Sequence, residues 1–165
     1  MGRSAKISQL QVRVTSAEKT VIQDAARRAG MDMSAYVLGR VLTASSAHFG
    51  ERVAACAASS TLSYPLAELN SFLSGLTPQE FRDAVAQPPA SKLTPFVANY
   101  IAAMVEFGCA RCDIAAPAWT REIPPLLEPV FGSTLQSLRL HLLTHSPASF
   151  RTRNIFIDAT LGDRV

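Results

Sequence analysis

The stretch QLQVRVTSAEK, residues 9–19, decides the reading of this chain, because a period-two pattern turns there into a helix start. Leu10, Val12 and Val14 are apolar, and Gln9, Gln11, Arg13 and Thr15 alternate with them. Alternation of this kind predicts a strand with one buried and one wet face. Thr15 and Glu18 then stand at the spacing of a capping box, with Thr15 as the helix N-cap and Glu18 reaching back to its N–H.

Working outward, Val21, Ile22, Ala25, Ala26 and Ala29 recur at helical spacing, and Gly30 stands where a left-handed residue ends a helix without steric cost. Ser34 is read as the next N-cap, opening a helix whose stripe includes Val37, Leu38, Val41 and Leu42. The order is strand, helix, short turn, helix. A lone amphipathic strand has an unpaired edge and an uncovered apolar face. Two copies pairing antiparallel across a two-fold axis remove both defects. The dimer core is then expected from Leu10, Val12, Val14, Ile22, Val37 and Val41.

The same pairing projects Gln9, Gln11 and Arg13 from the opposite face of a two-stranded ribbon, which fits the major groove of B-DNA. Gln bonds adenine bidentately and Arg bonds guanine, each good pair discriminating by about 1–3 kcal/mol. Phosphate contacts are expected from Arg3 and Lys6, and from the backbone N–H groups of Ser34 and Ala35 at a helix N-terminus. Charge agrees with this placement. Residues 1–40 hold seven Lys/Arg against three Asp/Glu, a net +4, whereas residues 41–165 hold nine against ten, a net −1. A basic front on a near-neutral body points to an anionic partner.

The segment SAKISQLQVRVTSAEKTVIQDAARRAGMDMSAYVLGRVL resembles the ribbon-helix-helix superfamily of Arc-, MetJ- and CopG-type repressors, and its antitoxin branch in particular. Arg13-Val14-Thr15, Glu18-Lys19, Ala29-Gly30-Met31 and Ser34-Ala35-Tyr36-Val37 carry the resemblance, which covers about residues 5–45. It implies a homodimer that binds double-stranded DNA with Gln9, Gln11 and Arg13 as base readers. It also implies a transcriptional repressor that autoregulates its operon and neutralises a partner toxin, for which the tail gives a fainter link to nucleotidyltransferase-like proteins.

The fold class expected is mainly α: a ribbon-helix-helix domain over residues 1–45, an Ala/Ser-rich segment over 46–64 that either extends the second helix or forms a partly helical connector, and a helical C-terminal domain with a proline-rich loop over 65–165. Helices are expected at about 66–75, 78–86, 94–108 and 134–145. Hydrophobic content of 48% is enough for a real core and too much for a disordered chain. The N-terminus lacks the apolar run of a secretory signal, no stretch approaches the roughly 18 apolar residues of a membrane span, and three cysteines make no secreted disulfide framework. A reduced cytoplasmic, nucleoid-associated protein is expected.

In the C-terminal part, Trp119, Phe131, Phe150 and Phe156 with Arg151 and Arg153 have the anchor-and-spacer character of a partner-binding surface. The competing reading of the aromatics is that they close this domain's own core. Cys109, Cys112, His141 and His145 have zinc-ligand spacing in pairs, but the gap between the pairs is long. Arg139 and His145 resemble the Arg/His pair of HEPN-type ribonucleases, with Leu140 where that family has a polar residue. A HEPN-like ribonuclease, or a zinc-binding domain targeted by an accessory ribbon-helix-helix module, is therefore the alternative. No G-x-S-x-G elbow or glycine-rich phosphate loop occurs, so neither an enzyme nor a cofactor is expected.

Overall fold

The structure, a computed structural model, describes residues 11–158, and for residues 40–44 the backbone alone. The chain divides into two compact units, Met1–Val41 and Leu42–Val165. The architecture is mainly helical, as expected. Helix α1 (Ser16–Arg28) and the start of α2 (Met33–Ala58) make up the described part of the first unit. The second unit takes the rest of α2, then α3 (Ser63–Gly75), α4 (Pro78–Ala84), α5 (Pro95–Arg111), α6 (Ala118–Glu122), a 3-10 turn (Gln136–Leu138), α7 (Arg139–His145) and α8 (Ala148–Arg151).

Capping chemistry sets the starts of α1 and α4. Thr15 Oγ1 accepts the Glu18 N–H at 3.3 Å, and the Glu18 carboxylate accepts the Thr15 N–H at 2.8 Å and its hydroxyl at 2.9 Å. Thr77 and Glu80 repeat the box at α4, with Pro78 at the first helical position. Gly30 has a φ of +66°, the left-handed conformation expected of it just past the end of α1. The start of α2 differs from expectation. It begins at Met33, and its cap is Asp32, whose carboxylate accepts the Ala35 N–H at 2.9 Å. Ser34 lies inside the first turn, because Asp32 offers a charged acceptor two residues earlier.

The connector expected over 46–64 is largely helix. Phe49, Val53 and Cys56 of α2 are buried in the core of the second unit with Leu66, Leu69 and Leu73 of α3 and Phe81, Ala84 and Val85 of α4. The spacing of Phe49, Val53 and Cys56 is one helical stripe, which alanines and serines obscure in the sequence.

At the centre of that unit lies α5, buried through Val97, Ile101, Ala102, Ala103, Met104, Val105, Gly108 and Cys109 and contacting α3, α4, α6 and α8. A helix apolar nearly all round must be enclosed, and α5 is. Gly108 permits the closest approach. A Cβ built there would stand 2.5 Å from Phe81 Cε2 and closer still to Cζ, and the Phe81 ring is fully buried.

The proline-rich loop and the C-terminal segment hold each other. Asn154, at a φ of +57°, donates from its side chain to the Leu126 carbonyl at 2.6 Å. Beyond it β2 (Ile155–Phe156) pairs in parallel with β1 (Val130–Phe131), with Val130 opposite Ile155 and Phe131 opposite Phe156. Both strands fall in stretches expected to be an extended loop and a short strand or irregular tail.

Arg153 anchors this assembly from within. Its guanidinium donates to both Glu106 oxygens (3.2 and 2.6 Å), to Asn99 Oδ1 at 3.1 Å, and to the carbonyls of Thr120 and Ile123 at 2.6 and 3.4 Å. Asn99 in turn donates to the carbonyls of Pro95 and Pro124, both at 3.0 Å. All five guanidinium N–H groups are thereby engaged, which is the condition for burying a charge without a large penalty.

Three outcomes follow from this packing. Gly108→Ala is expected to destabilise the protein by about 1–3 kcal/mol, because a buried ring cannot yield to the added methyl. Arg153→Ala leaves Glu106 and Asn99 without their buried partner and is expected to cost about 3–5 kcal/mol. Denaturant unfolding measures both, and a loss below about 0.5 kcal/mol in either would contradict the packing described. Hydrogen bonds from the N–H and hydroxyl of Thr15 hold the Glu18 carboxyl below its ordinary 4.5, and those from the hydroxyl and N–H of Thr77 do the same for Glu80. A lowered carboxyl pKa contributes stability that is complete above 4.5 and is lost as pH falls through the lowered values. Acid titration followed by circular dichroism should therefore show a loss of helix below pH 4.5 that shrinks in a Thr15→Ala/Thr77→Ala variant.

Candidate nucleic-acid interface

The first unit has almost no interior of its own. Among its described residues only Ala26 is buried, at 2% exposure. Ile22 and Val37 are half-buried, while Val12, Val14, Val21, Met31, Met33 and Leu38 are exposed, Val12 and Val21 by about two thirds. These include four of the six residues expected in a dimer core. Leu10 lies outside the described residues, as does the side chain of Val41. The described residues of this unit thus leave in water apolar side chains that a core would bury.

Gln11 and Arg13 are exposed and precede the Thr15 cap directly. Arg3, Lys6 and Gln9 lie outside the described residues. Within one chain Gln11–Val14 form no strand, and the ribbon expected there is one that two chains make together. The Thr15/Glu18 capping box sets where the Gln11–Val14 segment leaves α1. Lys19, Arg27 and Arg28 are exposed along α1, with Arg27 near Asp24 at 3.8 Å, a separation at which a surface pair contributes little.

At the second helix the expected phosphate contacts meet a competitor. Ser34 is exposed, but the Ala35 N–H is held by the Asp32 carboxylate. A phosphate approaching this N-terminus would face a negative charge already seated on one of its donors. Sequence reasoning missed this because it assigned the cap to Ser34. The signal was present in Asp32, three residues before Ala35.

In the second unit the residues singled out as partner anchors are mostly interior. Trp119, Phe150, Phe156 and Arg153 are buried in this chain's own fold, with Trp119 Nε1 donating to the Val85 carbonyl at 2.9 Å. This corrects the expectation of a partner-binding surface for those four, for a simple reason: the proline loop and tail needed large side chains to seal α5. Phe131 is half-buried, stacked on Phe156 at 5.1 Å, and Arg151 is exposed.

The cysteine and histidine pairs are not assembled together. Among the described residues no group of three or more His, Cys, Asp or Glu is arranged to hold a metal. Burial, aided by the nearby Cys112 and Glu106, pushes the Cys109 thiol up to about 11, which keeps it protonated and inert. Arg139 lies over the Phe131 ring at 5.0 Å, and the His145 ring nitrogen Nδ1 sits 3.0 Å from the His141 carbonyl. An open cavity of about 150 Å³ does exist elsewhere in the unit, lined by Glu51, Arg52, Ala55, Pro65 and Glu68. No helix of the described residues is long and apolar enough to cross a membrane.

With this geometry in place, the comparisons with known proteins locate the similarity in the first unit. The family model described as NikA-like, mobilization protein NikA, matches residues 5–46, about a quarter of the chain. No curated protein and no solved structure matches it.

Proposed function

We propose that residues 5–46 are a ribbon-helix-helix unit that pairs with a second copy of the chain and binds double-stranded DNA through Gln9, Gln11 and Arg13. The observation that carries the proposal is that Val12, Val14, Val21 and Leu38 are all exposed in one chain. A second chain covers such side chains, completes the ribbon, and gives the two-fold symmetry that matches an inverted-repeat DNA site. The basic balance of residues 1–40 supports an anionic ligand. The matched segment, 5–46, coincides with this unit.

For the role of that DNA binding, the matched description favours mobilization of DNA over toxin neutralisation. The antitoxin reading rests on the resemblance of residues 5–45, and four of the side chains that would serve as anchors for a toxin are interior. Repression of the protein's own promoter remains compatible with the proposal wherever the bound site overlaps that promoter. No catalytic step forms part of it.

The purified chain should sediment as a dimer and bind DNA containing an inverted repeat, with affinity falling steeply as salt rises. Arg13→Ala should flatten the preference among sequences, losing about 1–3 kcal/mol at its base. Asp32→Asn retains a capping side chain and removes the charge at the helix N-terminus, so it should tighten binding to all sequences alike. Val14→Asp should abolish dimer and DNA binding together. A monomer at micromolar concentration, or a dimer without DNA affinity at low salt, sinks the proposal.

A further inference from the structure

The open cavity of about 150 Å³ takes its walls from two helices, with Glu51, Arg52 and Ala55 on α2 and Pro65 and Glu68 on α3. Spacings of three and four place Arg52 with Ala55, and Pro65 with Glu68 and Phe72, on one face of each helix. Ala55 and Pro65 have short side chains, and the cavity is the space they leave among the charged ones. Arg52 is the group that the fold does not account for. Its guanidinium carbon lies over the Phe72 ring, 5.2 Å from the centroid. Among the described residues it donates no hydrogen bond and joins no ion pair, and Nε is buried without a partner. The two Nη groups remain accessible. The neighbouring carboxylates face other groups: Glu51 lies 3.3 Å from His48 Nδ1, and Glu68 accepts from the Tyr64 hydroxyl, which holds that phenol above its ordinary pKa. Arg153 shows the contrast, with every guanidinium N–H engaged. A half-buried guanidinium left unsatisfied by its own chain presents a fork to an acceptor from outside.

We propose that this cavity binds a basic α-amino acid, with the α-carboxylate on the Arg52 fork and the cationic groups on Glu51 and Glu68. Size limits the ligand first. The cavity is smaller than the roughly 300–1,000 Å³ of drug-sized sites, so it admits a molecule of amino-acid scale. Charge selects among such molecules. One guanidinium and two carboxylates leave the walls one negative charge in excess, which a ligand with one carboxylate and two cationic groups complements. A dicarboxylate sets a second negative charge beside Glu51 or Glu68, and a diamine leaves Arg52 unpaired. The Phe72 ring beneath Arg52 holds the guanidinium in place, so little side-chain freedom is lost on binding. No residue of the first unit lines the cavity, and DNA binding is not required for it.

Calorimetric titration of the full chain with L-lysine should show one site per chain, with amide NMR shifts confined to α2, α3 and the turn between them. Acetate, L-glutamate and putrescine should each bind at least about tenfold more weakly. Arg52→Gln and Arg52→Lys should both weaken lysine binding by about tenfold or more, because neither replacement offers a bidentate fork. Ala55→Phe, at an exposed position, fills the cavity and should abolish binding without removing a charge. Circular dichroism and thermal melting of each variant separate a lost site from a lost fold. Absence of binding at about 10 mM lysine, equally tight binding of putrescine, or binding that survives Arg52→Gln in the folded protein overturns the proposal.

Discussion

The second unit depends on one buried charge. Arg153 reaches from the turn after α8 into the interior, where it joins Glu106 of α5, Asn99 of the same helix, and carbonyls of α6 and the loop that follows. Apolar packing around α5 supplies most of the driving force, but it does not dictate where the proline-rich loop should lie. The guanidinium does, since each of its donors must find an acceptor once water is excluded. The loop carbonyl of Pro124 and the tail residue Asn154 are placed by the same network and its neighbour. The strand pair between residues 130–131 and 155–156 is a consequence, too short to form independently.

The first unit is built under the opposite condition. It has well-capped helices and a left-handed glycine turn but only one buried residue among those described. Among the described residues local structure is strongly encoded, through caps and a glycine turn, and little of it is supported by burial. Secondary structure and association are thus separated in this protein. The helix starts come from side-chain caps within the chain, whereas the first unit's described apolar side chains are mostly left in water.

Legibility in the sequence followed the range of the interaction. The Thr15 capping box, the Gly30 turn and the course of α5 were readable because each depends on residues within four positions or on a continuous apolar run. The cap at Asp32 was misassigned to Ser34, since two good capping residues lay two apart and only the backbone shows which one the helix uses. Phe49, Val53 and Cys56 were hidden in an Ala/Ser-rich stretch that has the composition of a linker. Arg153 was read as a surface anchor because nothing local marks its partners, which lie 30 to 54 residues away along the chain.

The sequence by itself determined the alternating segment before Thr15, the helix pair that follows, the basic balance of the first forty residues and the mainly helical class. These rest on periodicity, capping and charge, all of them properties of neighbouring residues. Only the tertiary structure decided that Trp119, Phe150, Arg153 and Phe156 face inward and that Cys109 and Cys112 form no metal group with His141 and His145. It also showed that Asp32 holds an amide expected to meet phosphate. Those outcomes turn on which distant groups meet once water is excluded, and no local pattern encodes that.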